Sequence, residues 1–591
     1  MKRKFSSLLL FMVVTSMILI GGGCGGSGTD LAPINPTVRE TQFGKVEGIV
    51  VGGDTLAWLG IPFAAPPVGN LRWQPPQDPD RWDGIRQVKQ VSDACAQVGN
   101  MYGPPAYGSD FSTLADTFWT PVGTEDCLYM NIWRPKTTAR DLPVLVFIHG
   151  GSNRAGYAAD PSYDGSNLAN SGNLIVVTVP YRLNFFGWFT HPALRAGTDP
   201  VADSGNFALL DLIMALKFIK NNIANFGGNP ENVTIMGHSA GSQNVHGLIL
   251  SPHAAGLFHK AIPLSAPGGT SPVAAGESKA NAMINAFLIK DGYAADNASA
   301  DAFRESQSNA WIKSYLMGKS AEDIVNIQSS PTGGKFGTGG YALEPGSATT
   351  SLGSIVANIG DGTVLPHPGD VVGAVLSGNF NRVPLLIGNT SEEGKLFTQP
   401  AFGVDDAQRF SIMYNFDPDA ASGISLSDLL DPEVIVPMTA DAYNQYSYDN
   451  AAGLTPGPVF STVLFVGAIN QTTGLYKLAQ PQIYAYSFNW DQQPEPWNTI
   501  YGASHAMDLP FIFGKFGTQL FSCGFSQANE SGRLALSEAM QKSIAAFART
   551  GDPNHSALGT TWQLWSQAPG EPKKLIFDAD ATSKNISMWS Y

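Results

Sequence analysis

The chain has 591 residues, of which 43% are hydrophobic, 10% aromatic and only 14% charged. This composition is typical of a globular protein, and the length by itself would suggest several domains. The formal net charge of −14 argues against a nucleic-acid partner, because nucleic-acid binding depends on a basic surface. The cysteine and histidine spacings do not resemble a zinc site, and we expect no metal and no cofactor.

The first two dozen residues have the pattern of a targeting segment. A basic start precedes an apolar run, Phe5–Ile20, and small residues lead to Cys24. This order predicts a signal peptide over residues 1–23 and export, either to the periplasm and cell envelope or into the medium. Cys24 resembles the lipidated cysteine of bacterial lipoproteins, which would attach the protein to a membrane, and residues 24–39 then resemble a flexible tether. The alternative is a plain secretory signal in which Cys24 has no role.

Apolar, β-branched runs alternate with helical patterns along much of the remaining chain. Strands separated by helices predict an α/β fold with a mostly parallel sheet covered on both faces. The stretches 100–123, 270–360 and 400–480 fit this pattern poorly and are interpreted as insertions above the sheet edge. The predicted strands are Val144–Ile148, Leu174–Val179, Val233–Met236, Ala261–Leu264, Val383–Ile387 and Ile483–Phe488, and the predicted helices are Asn206–Phe226 and Ser242–Leu250.

A G-x-S-x-G pattern centred on Ser239 follows directly on the strand Val233–Met236. Such a pattern after a strand predicts a nucleophile elbow, a sharp turn into a helix that exposes the serine hydroxyl above the sheet. Gly237 and Gly241 flank the serine because side chains there would collide with the neighbouring strand and helix. A serine becomes a good nucleophile only when a base takes its proton and an acid orients that base.

Three histidines follow Ser239 late enough in the chain to supply the base, namely His367, His505 and His555. His505 is favoured because it lies in a loop after the strand Ile483–Phe488, and ligands gather at the carboxyl ends of parallel strands. His367 stands between two prolines, which indicates a rigid turn. His555 follows a turn near the C-terminus.

Two adjacent carboxylates, Glu392 and Glu393, follow the strand Val383–Ile387 and precede His505 in the chain. Either of them could orient the base, and their position does not choose between them. Asp508, three residues after His505, is a rival partner. The alternative is that both glutamates are solvated loop charges.

The tetrahedral intermediate of acyl transfer needs backbone amides directed at its oxyanion. The elbow supplies the amide of Ala240. In enzymes with a nucleophile elbow, a glycine-rich loop after an early strand supplies the other amides. Residues 149–152 follow the strand Val144–Ile148 and are candidates for this loop. We interpret His149 as a structural residue that holds this loop.

The chain resembles the type-B carboxylesterases, the cholinesterase-like branch of the α/β-hydrolases. Residues 226–241 match the full family signature around the nucleophile, and residues 125–133 match the second signature. Similar segments extend almost to the C-terminus, so the resemblance covers nearly everything after about residue 40. It implies the α/β-hydrolase fold, with residues 40–591 as one large domain whose insertions form a lid over the site.

The resemblance also implies a role for each site residue. The acid is the Glu that directly precedes Gly, which selects Glu393 over Glu392. Cys127 occupies a family disulfide position with Cys95 as its partner, which leaves Cys523 as an unpaired thiol. The implied catalytic and oxyanion-hole residues are Ser239 as the nucleophile, His505 as the general base and acid, Glu393 as its acid partner, and Gly151, Ser152 and Ala240 as the oxyanion donors.

Two positions depart from the family pattern. His238 stands where cholinesterases and many relatives carry Glu, which removes a negative charge beside the nucleophile and disfavours a choline-ester specialist. Ser152 replaces the small Gly or Ala usual in the oxyanion loop, and its side chain would narrow the pocket.

These observations predict a serine carboxylesterase that hydrolyses small, uncharged, apolar or aromatic esters through an acyl-enzyme. An interfacial lipase is the nearest alternative. A non-catalytic adhesion or binding protein is the other, and the intact trio of serine, glutamate and histidine argues against it. The sequence does not identify the natural ester or the oligomeric state.

Overall fold

The computed structural model describes residues 36–101, 111–327, 355–397, 406–420, 424–425, 429 and 462–590, and the described residues from Thr37 onward form one compact unit. The predicted signal peptide and Cys24 lie outside the described residues. Val38–Thr41 is a strand that pairs antiparallel with Gly44–Glu47. The predicted tether over residues 24–39 therefore extends too far along the chain, because residues 38 and 39 already belong to the first strand of this hairpin.

The strands of the described residues range from two to eleven residues in length. In chain order they are β1 (Val38–Thr41), β2 (Gly44–Glu47), β3 (Ile49–Val51), β4 (Thr55–Pro62), β5 (Ile85–Gln87), β6 (Gln97–Val98), β7 (Pro121–Val122), β8 (Tyr129–Pro135), β9 (Leu142–Ile148), β10 (Ile175–Val179), β11 (Gly228–His238), β12 (Lys260–Leu264), β13 (Ser271–Pro272), β14 (Ile359–Gly360), β15 (Leu385–Thr390), β16 (Ile483–Phe488), β17 (Pro572–Ala579) and β18 (Lys584–Ser590).

Eleven of these strands form the central sheet, in the order β18-β17-β16-β15-β12-β11-β9-β10-β8-β4-β3. The strands from β10 through β17 in this order run parallel to their neighbours. Antiparallel strands complete both edges. The mostly parallel sheet predicted from the sequence is thus confirmed, and the antiparallel edges and the parallel strand β17 are the parts that the apolar runs did not predict.

Both faces of the sheet are buried, which is why its strands read as continuous apolar runs. Along β9, Val144, Val146 and Ile148 pack into one hydrophobic cluster. The alternate residues Leu145 and Phe147 pack into a second cluster on the opposite face. This division follows from the two-residue period of a strand.

Helices cover the two faces. Leu209 and Val245, from two of these helices, belong to the first cluster, and Phe511 and Phe547 from two others belong to the second. In chain order the helices are α1 (Ser166–Gly172), α2 (Asn184–Gly187), α3 (Phe207–Asn222), α4 (Ala240–Leu250), α5 (Val273–Lys290), α6 (Asn297–Ser306), α7 (Asn309–Met317), α8 (Ala321–Asn326), α9 (Val371–Leu376), α10 (Asp406–Asn415), α11 (Thr462–Lys477), α12 (Trp497–Ile500), α13 (Leu509–Phe513) and α14 (Glu530–Thr550).

The predicted helices and insertions have clear counterparts. The helix predicted over Asn206–Phe226 is α3 followed by a 3₁₀ turn over Ile223–Phe226. The stretch 270–360 contains α5 to α8, and 400–480 contains α10 and α11, while other parts of both stretches lie outside the described residues. Within the part of the chain that the structure describes, none of the helices has the length and apolarity needed to cross a bilayer.

A disulfide between Cys95 and Cys127 confirms the predicted pairing. It ties the segment before β6 to the segment before β8. Cys523 is a free thiol, and its side chain is buried in the second hydrophobic cluster. Its burial indicates a packing role.

Candidate active site

The turn at Ser239 has the backbone of a nucleophile elbow. Strand β11 ends at His238, Ser239 adopts φ 57° and ψ −124°, and α4 begins at the next residue. A positive φ is uncommon for a residue with a side chain, and it marks a turn that its surroundings enforce. The Ser239 amide donates to the carbonyl of Leu264 at 2.8 Å, which ties the turn to strand β12. The side chain is partly exposed.

Glycines surround this turn because the backbones approach too closely for side chains. A Cβ at Gly237 would lie 2.3 Å from the carbonyl oxygen of Gly241. A Cβ at Gly241 would lie 2.1 Å from the carbonyl oxygen of Ile148, and one at Gly150 would lie 2.9 Å from the Cβ of Ser239. The last contact shows that the loop after β9 lies directly against the serine.

His505 and Glu393 meet at the same edge of the sheet. The Nδ1–H of His505 donates to Oε2 of Glu393 at 2.5 Å, and Oε1 of Glu393 accepts from the amide of Thr390 at 2.9 Å. Both side chains are almost fully buried, with 3% and 1% of the residue surface exposed. A charged acceptor on Nδ1 fixes the tautomer that leaves Nε2 unprotonated and able to accept a proton.

Glu392 points the other way and holds the loop that carries His505. Its Oε2 accepts from the amide of Ala503 at 2.9 Å, its own amide donates to the carbonyl of Ala503 at 3.0 Å, and Lys395 pairs with its Oε1 at 2.7 Å. Of the two glutamates, it is thus Glu393 that hydrogen-bonds the imidazole of His505, whereas Glu392 binds Ala503 and Lys395.

Asp508, the rival partner of His505, binds Tyr486 instead. The Tyr486 hydroxyl donates to its Oδ2 at 2.7 Å, and the carboxyl is completely buried. Burial, with a smaller contribution from the charge of Glu393, raises the pKa of Asp508 to about 6. Sequence reasoning noted Asp508 by its spacing from His505 but had no signal for Tyr486, which reaches it from β16.

Because the carboxyl of Asp508 is buried, we expect the stability of the folded protein to depend on pH. The folded state keeps the proton of Asp508 to about pH 6, whereas the pKa of an exposed Asp is ordinarily 3.8. The stability contributed by this group therefore falls as the pH rises from about 4 to about 6. We expect Asp508→Asn to become more stable relative to the wild type over this window, by about 2–3 kcal/mol at pH 7 compared with pH 4.

The measurement is the thermal unfolding midpoint of both proteins across this pH range. Asp80 has an exposed side chain, so Asp80→Asn is a matched control that should follow the wild type at every pH. A constant difference between Asp508→Asn and the wild type would contradict the expected role of this carboxyl.

His238, the elbow residue directly before Ser239, packs its ring against that of His505. Its ring centroid is 4.5 Å from that of His505 at an interplanar angle of 54°, and only 2% of its surface is exposed. Burial, followed by the nearby His505, lowers the pKa of His238 well below its usual value, so its ring is neutral. Phe465 of α11 contacts the His505 ring edge-on, with centroids 6.1 Å apart. Sequence reasoning missed Phe465, because its segment had no recognisable pattern.

The loop after β9 adopts consecutive left-handed conformations at Gly151, Ser152 and Asn153, with φ of 99°, 57° and 57°. Among the residues that the structure describes, none accepts a hydrogen bond from the amides of Gly151, Ser152 or Ala240. Three uncommitted amides beside a nucleophile are suited to bind a developing negative charge. The Ser152 side chain is exposed, so the residue lies at the surface of this loop.

His149 stabilises this loop through contacts with Gly150 and Tyr181. Its Nδ1–H donates to the carbonyl of Gly150 at 2.9 Å, its ring stacks on Tyr181 at 4.7 Å, and the Tyr181 hydroxyl donates to its carbonyl at 3.0 Å. Burial lowers the pKa of His149 to about 4, so the side chain stays neutral. These contacts agree with the structural role expected for it.

The other two candidate histidines have partners elsewhere. His367 Nδ1 donates to the carbonyl of Gly360 at 2.8 Å, and His555 Nε2 donates to the carbonyl of Ala539 at 3.2 Å. Neither contacts Glu393 among the described residues. Over the same residues, no group of three or more His, Cys, Asp or Glu side chains is arranged to hold a metal ion.

A sequence model of the carboxylesterase family matches residues 35–587, which is nearly the whole chain. The chain belongs to the carboxylesterase family. It is 30% identical over 550 residues to the para-nitrobenzyl esterase of Bacillus subtilis, covering 93% of this chain and 96% of that protein. It is 37% identical over 365 residues to the fumonisin B1 esterase of Sphingopyxis macrogoltabida, covering 61% of this chain and 57% of that protein.

Solved structures agree with this assignment. The carboxylesterase of Geobacillus stearothermophilus superposes with a TM-score of 0.63 at 27% identity, covering 93% of this chain and 98% of that structure. The α/β-hydrolase fold expected from the sequence is confirmed. As a member of the carboxylesterase family with esterases among its relatives, the protein is a carboxylic ester hydrolase.

Proposed function

We propose that this carboxylesterase hydrolyses small, uncharged esters through an acyl-enzyme on Ser239. In this mechanism His505 is the general base and acid, Glu393 orients it, and the amides of Gly151, Ser152 and Ala240 bind the oxyanion. The observation that carries the proposal is the 2.5 Å contact between His505 and Glu393, next to the elbow that presents Ser239.

The proposed reaction has two halves. Ser239 Oγ attacks the ester carbonyl while His505 Nε2 takes its proton, and the imidazolium then protonates the departing alcohol. A water molecule next attacks the acyl-enzyme, with His505 again removing and returning a proton. Glu393 stays ionised throughout and stabilises the imidazolium that forms in each half. The oxyanion of both tetrahedral intermediates is stabilised by the backbone amides.

The surroundings of His505 favour an uncharged substrate. Two rings that contact it, those of His238 and Phe465, carry no charge. A cationic alcohol group would therefore find no carboxylate at the position of His238, beside the nucleophile. The similarity to a para-nitrobenzyl esterase supports an aromatic group on one side of the ester.

The test is hydrolysis of a panel of p-nitrophenyl esters that range from acetate to long acyl chains and include benzoate. We expect saturable turnover of soluble short-chain or aromatic esters, and labelling of Ser239 by a fluorophosphonate probe. Activity that appears only above the solubility limit and rises with acyl length would favour an interfacial lipase. Neither turnover nor labelling would favour a non-catalytic protein and would overturn the proposal.

A further inference from the structure

The imidazole of His505 is held on three sides by groups from different elements. Glu393, after β15, accepts from Nδ1, His238 at the end of β11 packs against one side of the ring, and Phe465 of α11 meets it edge-on. The proposed mechanism uses only the first of these contacts. His238 is nevertheless the nearer ring, and its main chain continues directly into Ser239.

His238 is one of several side chains at the site, Ser504 and Asp508 among them, that have a buried polar atom without a hydrogen-bond partner among the described residues. In His238 this atom is Nε2. Buried polar atoms are nearly always paired, since an unpaired one costs stability. Because this nitrogen is unpaired, the contact that the structure shows between His238 and His505 is the packing of their rings.

Within the described part of the chain, four charged or titratable groups bear on this pair. Glu393 contacts His505, Asp508 lies on the same loop as His505, and Tyr486 of β16 binds Asp508. Lys574 of β17 contributes a positive charge that interacts with Glu393, and its own amine donates to Asn389. Burial, followed by the nearby His505, lowers the pKa of His238 well below its usual value, so this ring adds no charge to the set near neutral pH.

We propose that His238 is a positioning residue that packs on the His505 imidazole and, by remaining uncharged, extends esterase activity to lower pH. The inference rests on the proposed function, because it needs His505 as the general base. A carboxylate beside an imidazole favours the protonated ring. A neutral neighbour leaves the ring unprotonated, and hence able to act as a base, to a lower pH.

The test compares the pH dependence of kcat/KM in variants of His238. His238→Glu introduces the missing charge, and we expect it to raise the midpoint of the acid limb by about one pH unit or more. At pH values below the wild-type midpoint, kcat/KM of His238→Glu should be about tenfold lower than that of the wild type. His238→Gln is uncharged and should keep the midpoint.

Packing is tested separately by His238→Ala. This variant should lower kcat by about tenfold at all pH values with little change in KM, because a loosened imidazole affects the chemical step more than binding. His253 has an exposed side chain just after α4, and His253→Glu is the matched control for the change in charge. It should change neither the midpoint nor kcat.

The outcomes separate this inference from the proposed function. An active wild type with an unshifted acid limb in folded His238→Glu would overturn the inference and leave the proposed function standing. If His238→Glu does not fold, a wild-type kcat in His238→Ala would likewise overturn it. An inactive, unlabelled wild type would overturn both.

Discussion

Ser239→Ala is expected to lower kcat by about a millionfold, since removing the nucleophile of such a triad costs nearly as much as removing the whole triad. The residual rate would come from substrate binding and the oxyanion amides, which the substitution leaves in place. KM should change little, because the hydroxyl is small and partly exposed. The measurement is kcat and KM for p-nitrophenyl acetate, with burst kinetics in the wild type.

The matched control is Ser242→Ala, on the first turn of the same helix. Its hydroxyl donates to the carbonyl of Ala266 at 3.3 Å and lies on the buried side of α4. This variant should keep kcat within about twofold, as no reacting atom contacts it. If both variants kept wild-type activity, the nucleophile would have to be another residue.

Glu393→Gln is expected to lower kcat by about 10⁴-fold, the size of effect seen when the acid of a triad is replaced by its amide. The amide can present an N–H to Nδ1, which favours the wrong tautomer of His505 and removes the charge that stabilises the imidazolium. The 2.5 Å contact makes the imidazole directly sensitive to this change. The measurement is kcat for the same ester at a pH above the acid limb.

The neighbouring Glu392→Gln is a sharp control because the two residues are identical and adjacent. Its amide oxygen can still accept from Ala503, and only the ion pair with Lys395 is lost. We therefore expect less than about a tenfold change in kcat, together with a lower unfolding temperature. The reverse order of effects would assign the acid to Glu392.

Much of the central fold could be predicted because its signals are local. The run Val144–Ile148 is apolar at every position since both faces of β9 are covered, and the observed strand includes it. The glycines around Ser239 were informative because steric limits leave no alternative in so tight a turn. The family resemblance then selected Glu393, which the contact with His505 supports.

The strands at and next to the sheet edges, and the outer contacts, could not be predicted in this way. Strand β17 contains Lys573 and Lys574, whose charges interrupt the apolar pattern, yet both are buried with their amines hydrogen-bonded. Phe465 contacts His505 although the two residues are far apart in the sequence. The periodicity of apolar residues carries no signal for such a contact. Such contacts depend on how insertions pack over the sheet, which is a property of the whole fold.

The most direct test of the central claim is to trap the covalent intermediate. An aryl carbamate should carbamoylate the nucleophile and leave an adduct that hydrolyses slowly enough for peptide mass spectrometry. We expect one added carbamoyl group on the peptide that contains Ser239, and none in Ser239→Ala. A carbamoyl group on a different residue, or ester turnover by a protein that never carries an adduct on Ser239, would contradict the account.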